Sequence, residues 1–295
     1  MRLVTYLEGG ERRPGLERDG RVYSTTRLLG GSWRKMEGPE SIRRILEDGT
    51  EVMLRLLDAI SSSAAEAADV GPLAELELAA PVPDPQKIVC VGLNYRDHAE
   101  EAGLSLPGVP LIFAKFPNAL AGPHQAVQLP RESAQVDYEG ELAVVIGRIA
   151  RSVAPEQALT YVAGAMCLND ISARDMQFET SQFIAGKTFD TFAPCGPALV
   201  TLDEIADPQA LGIRARVNGQ TMQDSSTAAM IFSVAELVSF LSRRMTLVPG
   251  DVISTGTPAG VGMGRKPPVY LKDGDVVEVE IDTLGRLENP VVQGD

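Results

Sequence analysis

The sequence predicts a β-rich α+β fold in two parts, a small N-terminal α/β domain over residues 1–80 and a larger mixed-sheet domain over 81–295. Three observations carry that reading. Beyond residue 86 the chain is dominated by short apolar runs punctuated by Gly and Pro, the texture of buried strands. Its helical patterns are few, and they do not alternate with the strands as a doubly wound sheet requires. Between the two parts, prolines 81, 83 and 85 stand where neither a helix interior nor a central strand accepts them.

The elements follow in order. RLVTYL (2–7) reads as a strand ended by Gly9-Gly10, and Asp19-Gly20 before RVYS (21–24) is a hairpin signal. Pro39 opens a helix over PESIRRILED (39–48), and Gly49 stops it. Residues 51–69 continue Leu- and Ala-rich at helical spacing. KIVCVGL (87–93), PLIFAKF (110–116), ELAVVIG (141–147), YVAGAMCL (161–168), PALVTL (197–202), IRARVNG (213–219), DVISTG (251–256) and DVVEVEID (275–282) are strands. Helices are expected at 94–102, 154–161 and 233–243, with Asn94 capping the first and Gly103 ending it.

Bulk properties narrow the function. A net charge of −13 repels polyphosphates, so nucleic acid and anionic membranes are excluded as partners. No apolar run approaches the ~20 residues that span a bilayer. Cys90, Cys167 and Cys195 form no CxxC pair and sit in apolar stretches, so they read as buried filler in a reducing compartment. With a charge at position 2 and too short an apolar start for a signal peptide, the expected location is cytoplasmic.

The sharpest chemical feature is Val-Asp-Tyr-Glu-Gly-Glu-Leu (136–142). Strand side chains alternate faces, so Glu139 and Glu141 point the same way, as does Asp137, and Gly140 leaves open space opposite. Asp170 follows an apolar strand. Two readings stand: a solvated acidic face with Asp170 as a turn or cap, or three carboxylates on one hard cation such as Mg²⁺ or Mn²⁺. Two histidines and no paired cysteines argue against zinc. His98 and Glu101 lie three apart on one helical face, either as a surface pair or as a base held by a carboxylate. Arg174, Gln177, Lys115 and Lys187 are polar or cationic candidates near these segments, Lys187 being embedded among Gly, Phe and Pro. Gly186-Lys187-Thr188 lacks the first P-loop glycine, since position 181 is Ser181. Gly260-Val261-Gly262 has Arg265 where a dinucleotide loop needs glycine, and no Gly-x-Ser-x-Gly elbow occurs. The Gly-rich stretch 256–262 is either a structural turn or a substrate-facing loop.

These segments resemble the fumarylacetoacetate hydrolase superfamily, and the likeness covers about 85–290. It rests on VGLNYRDHAEE, FAKFPNALAGP, VDYEGELAVVIG, NDISARDMQ, GKTFDTFAPCGP, VPGDVISTGTPAGVG and KPPVYLKDGDVVEVEI, in that order. The resemblance implies a mixed β-sandwich roll as catalytic domain, a small N-terminal domain and a homodimer. It implies one divalent ion per chain on Glu139, Glu141 and Asp170, and water activation by His98 with Glu101. Lys187 would act in catalysis, while Arg174, Gln177, Lys115 and Thr257 would bind substrate. Asn118-Ala119 departs from the family where many members carry a hydroxyl. The expected function is cleavage of the C–C bond of a small 2,4-dioxo acid through a metal-stabilised pyruvate enolate. A decarboxylase or isomerase acting on a β-oxo acid such as oxaloacetate is the second reading, and a non-catalytic ligand-binding protein the third.

Overall fold

The computed structural model describes residues 1–30 and 40–294. The strand Gly140–Ile146 shows how the core is built. Leu142, Val144 and Ile146 face one apolar cluster, whereas Ala143 and Val145 face another, and all five are fully buried. A strand apolar on both faces needs cover on both sides. One side is covered by a second sheet, through Ile213, Val279, Ile281 and Leu287, and by the helix Val234–Ser242. The other is covered by Leu3 and by Ile42 and Leu46 of the helix Ile42–Asp48.

The large sheet runs in the order 69–72, 21–24, 11–18, 2–8, 193–201, 162–169, 140–146, 252–254, 88–92 and 111–115. Its ladders on this path are antiparallel except where Val252–Ser254 lies parallel to Ile88–Gly92. Arg2–Glu8 pairs with Ala193–Thr201, Leu3 opposite Leu199, so the N-terminal strands extend this sheet. The second sheet has five strands, in the order 220–226, 212–217, 276–281, 285–293 and 127–129. The β-rich α+β character is what the apolar runs predict, and the packing of two sheets agrees with the sandwich roll that the family resemblance implies.

All eight expected strands of the larger part are present. Asp19-Gly20 turns with both φ positive, at 54° and 75°, joining Glu11–Arg18 to Arg21–Ser24. The two longest strands that escape the reading are instructive. Gln220–Ser226 is polar because it edges the sheet, and Gly285–Gln293 contains Pro290. Pro290 is tolerated because the strand on its second side pairs only from Val291 onward.

The helices need more correction. Pro39, read as a helix start, lies outside the described residues. The helix begins at Ile42, and Ser41 caps it by accepting the Arg44 N–H. The pattern over 51–69 breaks at Ser61–Ser63 into Thr50–Ile60 and Ala64–Ala68. Tyr95, not Asn94, is the N-cap of Arg96–Glu101. Asn94 is fully buried and spends its amide on Thr255 O and Phe232 O, which ties the helix entry to two distant loops. Among the described residues, no helix is long and apolar enough to cross a membrane.

Candidate metal centre

Antiparallel register brings the acids together. Gly140 lies opposite Asn169, so Glu139 and Asp170, each one residue beyond that pair, meet at the same sheet end. Asp170 N–H donates to Glu139 O at 2.8 Å, and Glu139 N–H donates to Asn169 Oδ1 at 2.9 Å. Glu141 shares the inward face of its strand. One oxygen from each of Glu139, Glu141 and Asp170 lies within 4.8 Å of the others, and all three residues are buried. The solvated-face reading is thereby excluded.

Two local inferences change. Asp137 does not join the triad, because the strand is interrupted after Val136–Asp137 and resumes at Gly140. Its carboxylate instead accepts Arg174 Nε at 2.9 Å and the N–H groups of Gly262 and Met263 at 2.7 and 3.0 Å. Gly140 does not border open space. A Cβ there would meet Ala215 and Gln223 at 3.3 Å, so the missing side chain admits the second sheet.

Three cations surround the acids. Lys187 Nζ bridges Glu139 Oε2 at 2.6 Å and Asp170 Oδ2 at 2.9 Å, and Arg174 Nη2 lies 2.6 Å from Glu139 Oε1. Burial would raise the Glu139 carboxyl, but Arg174 and Lys187 outweigh it and hold it down at about 2. The same pairing, chiefly with Asp170 and Glu139, lifts Lys187 above its ordinary value against the opposing pull of burial. Lys115 is the exception among the expected substrate residues. It is off the cavity wall, donates its three N–H to the carbonyls of Ile171, Lys187 and Phe192, and is pushed down by burial. It packs against Asp170 from within the core.

The donors fit a hard divalent cation on two observations. Glu141 has no cationic side chain in contact; its Oε2 accepts Ser254 Oγ at 2.5 Å and Gly256 N–H at 2.9 Å. Burial, then the charges of Asp170 and Glu139, push its carboxyl well above the usual range, a strain that added positive charge at the triad would relieve. In addition, Asp170 Oδ1 is buried 2.7 Å from Lys115 Nζ yet accepts no hydrogen bond, because the ammonium protons are spent on carbonyls.

A cavity of about 500 Å³ opens onto this centre. Glu139, Glu141, Arg174, Gln177, Lys187 and Thr257 line it, together with His98 and Glu101. Gln177 Oε1 accepts from Arg174 Nη1 at 2.9 Å, and Thr257 Oγ1 donates to Gly140 O at 3.0 Å. His98 Nδ1 is 3.1 Å from Glu101 Oε2, and Glu101 Oε1 accepts the Gly260 N–H at 2.9 Å. Partial burial would raise the Glu101 carboxyl, but those two bonds keep it below its ordinary value. At Gly264 a Cβ would stand 2.6 Å from the Glu101 carboxyl carbon, so a larger residue there would displace that carboxylate. The apolar wall includes Leu104, Leu111, Phe113 and Phe183, the last two edge to face at 5.8 Å. Leu104 falls in the stretch 103–109 that the sequence places at the pocket border, whereas Leu111, Phe113, Phe183, Ser254 and the loop cations Arg265 and Lys266 are absent from the sequence-based site. A cation beside Gly-rich residues was the one visible signal, at Arg265.

Residues 87–292 match the fumarylacetoacetate (FAA) hydrolase C-terminal family. The chain is 46% identical over 256 residues to the mitochondrial oxaloacetate tautomerase of Xenopus laevis, covering 86% of this chain and 79% of that protein. Among solved structures it is similar to a fumarylacetoacetate hydrolase from Exiguobacterium antarcticum, with a TM-score of 0.85, 37% identity and 99% of each chain covered. It also resembles maleylpyruvate hydrolase from Sphingobium sp. SYK-6 in complex with manganese (II) ion and pyruvate, with a TM-score of 0.79, 33% identity and 100% of each chain covered. The mitochondrial relatives overturn the cytoplasmic expectation. Cys90, Cys167 and Cys195 are free and buried, and such residues carry no information about the compartment.

Proposed function

This chain belongs to the fumarylacetoacetate hydrolase family, and from that premise we propose that it interconverts the enol and keto forms of a small 2-oxo acid of the oxaloacetate kind. The observation that carries this reading is one cavity lined by Glu139 and Glu141 of the buried triad and by the His98–Glu101 pair. A divalent ion held by Glu139, Glu141 and Asp170 would grip the 2-oxo carboxylate and stabilise negative charge at the C2 oxygen. Ketonisation breaks the O–H bond at C2 and forms a C–H bond at C3. His98 lines the cavity with Nδ1 turned to Glu101, which leaves Nε2 to carry that proton. Lys187, held by two carboxylates of the triad, would add fixed positive charge near the C2 oxygen at no cost in reorganisation. The apolar wall keeps bulk water from competing for the proton.

Oxaloacetate tautomerases among the relatives support this reading over C–C hydrolysis, the first expectation from sequence. Hydrolysis stays as the second reading because of the similarity to maleylpyruvate hydrolase. One experiment separates them. Enol-oxaloacetate decay and pyruvate release from acetylpyruvate are followed with Mg²⁺ and with EDTA. Expected are Mg²⁺-dependent acceleration of enol decay, no pyruvate from acetylpyruvate, and a loss of about 10²–10⁴ in kcat for His98→Ala. Pyruvate release without any effect on the enol overturns the tautomerase reading in favour of hydrolysis.

A further inference from the structure

Counting cations along the cavity shows which are free to meet a substrate. Arg174 and Lys187 are each within 3 Å of carboxylates, and Lys115 is inside the core. Arg265 and Lys266 also line the cavity. Among the described residues, no carboxylate oxygen lies within 4.0 Å of either. Arg265 Nη2 donates to Met222 O at 2.6 Å and the guanidinium also bonds the Tyr138 hydroxyl, while Nε has no partner. It follows Gly264, which abuts Glu101, so its side chain stands beside the His98–Glu101 pair and not beside the carboxylate triad.

We propose that Arg265 and Lys266 form a second anion subsite in this cavity, selecting 2-oxo acids that carry a second carboxylate at the far end. The proposal rests on the reading that the cavity takes a 2-oxo acid. Its physical basis is the contrast between the two ends. Around the triad, Asp137, Glu139 and Asp170 already neutralise Lys115, Arg174 and Lys187. A second substrate carboxylate, held among Leu104, Leu111, Phe113 and Phe183, would be desolvated and costly unless it met a cation. A guanidinium can engage it with two parallel N–H bonds, and the neighbouring ammonium adds charge. A neutral tail would gain nothing from either group. In a chain of net charge −13, an Arg-Lys step that lines the cavity, with Lys266 at its exposed rim and no carboxylate within 4.0 Å of either, also supplies the local reversal of field that an anionic substrate requires.

The test compares oxaloacetate with its 4-methyl ester, which keeps the 2-oxo acid and removes the distal charge. Turnover and calorimetric binding are measured on Mg²⁺-loaded wild type, Arg265→Gln, Lys266→Met and Arg265→Lys, with oxalate as a probe of the triad end alone. The wild type is expected to favour the diacid. Arg265→Gln should lower that preference by about 10- to 100-fold, mainly through KM, as expected for one charge-assisted bond. Lys266→Met should lower it less, Arg265→Lys should keep most of it, and oxalate affinity should hold. Should Arg265→Gln fail to fold or lose oxalate affinity, Lys266→Met and Arg265→Lys decide in its place. Equal binding of diacid and ester by the wild type overturns the subsite, as do variants that leave the preference unmoved. A wild type that prefers the diacid in an Arg265-dependent way but does not accelerate enol decay keeps the subsite and removes the tautomerase reading.

Discussion

On the second sheet, Arg214, Arg216 and Arg286 reach across neighbouring strands to Glu278, Glu280 and Asp282 at separations such as 2.6 Å for Arg216–Glu280 and 3.1 Å for Arg286–Glu278. Around Glu139, the same kinds of side chain meet at the same distances, but every one is buried. The outer pairs are partly solvated and screened by salt, so each adds little. The inner cluster has lost its water, so each charge depends on its partners and any imbalance is felt. Geometry alone does not separate the two networks. Burial does, and only the inner one leaves a carboxylate, Glu141, without a positive partner.

The strongest way to break this contrast is Asp170→Asn. It removes one ligand from the triad and leaves Lys115 and Lys187 short of a counter-charge in the core. A loss of about 3–5 kcal/mol is expected in chemical denaturation. In thermal melts the wild type should gain stability on adding Mg²⁺, about 2.7 kcal/mol at a hundredfold excess over Kd, and this variant should gain none.

Acid tests the same cluster without mutation. Glu139 sits at about 2 in the folded protein against an ordinary 4.5. Its charged form is therefore favoured by folding, and the stability it contributes is complete above about 4.5 and disappears as the pH falls toward 2. The loss attributable to it is roughly 3 kcal/mol. Glu141, shifted the opposite way, contributes stability that falls as pH rises, so Mg²⁺ should steepen the acid limb by holding both acids ionised. Urea midpoints measured from pH 6 to pH 2, with and without Mg²⁺, check this.

The smallest effect belongs to the outer network. Arg216→Ala should change stability by less than about 1 kcal/mol, and the difference should shrink further in 1 M salt. A loss as large as that of Asp170→Asn would mean that position in the sheet, and not burial, sets the worth of these charges.

Much of the site could be read locally. His98 and Glu101 face one another because three residues make nearly one helical turn, and Glu139 with Glu141 because alternate strand residues share a face. Other features could not. Asn94 carries the residue type of a helix cap, yet it is drawn away to backbone groups of 232 and 255 that lie some 140–160 residues off in sequence. Lys115 and Lys187 are each a lysine near aromatic residues, yet one faces three carbonyls in the core and the other bridges two acids on the cavity wall. Arg265 gives a single local sign, its place beside the Gly-rich stretch, and nothing in its neighbours says that it faces the cavity.

The sequence by itself determined the strand-rich texture, the carboxylate pattern and the His98–Glu101 spacing, because these depend on backbone periods of two and 3.6 residues. Tertiary structure alone decided that Asp170 meets Glu139, that Ser254 bonds Glu141 from 113 residues away, and which cations are neutralised. Those outcomes hang on sheet register and on which faces lose water, and both are properties of the packed whole that no window of neighbouring residues contains.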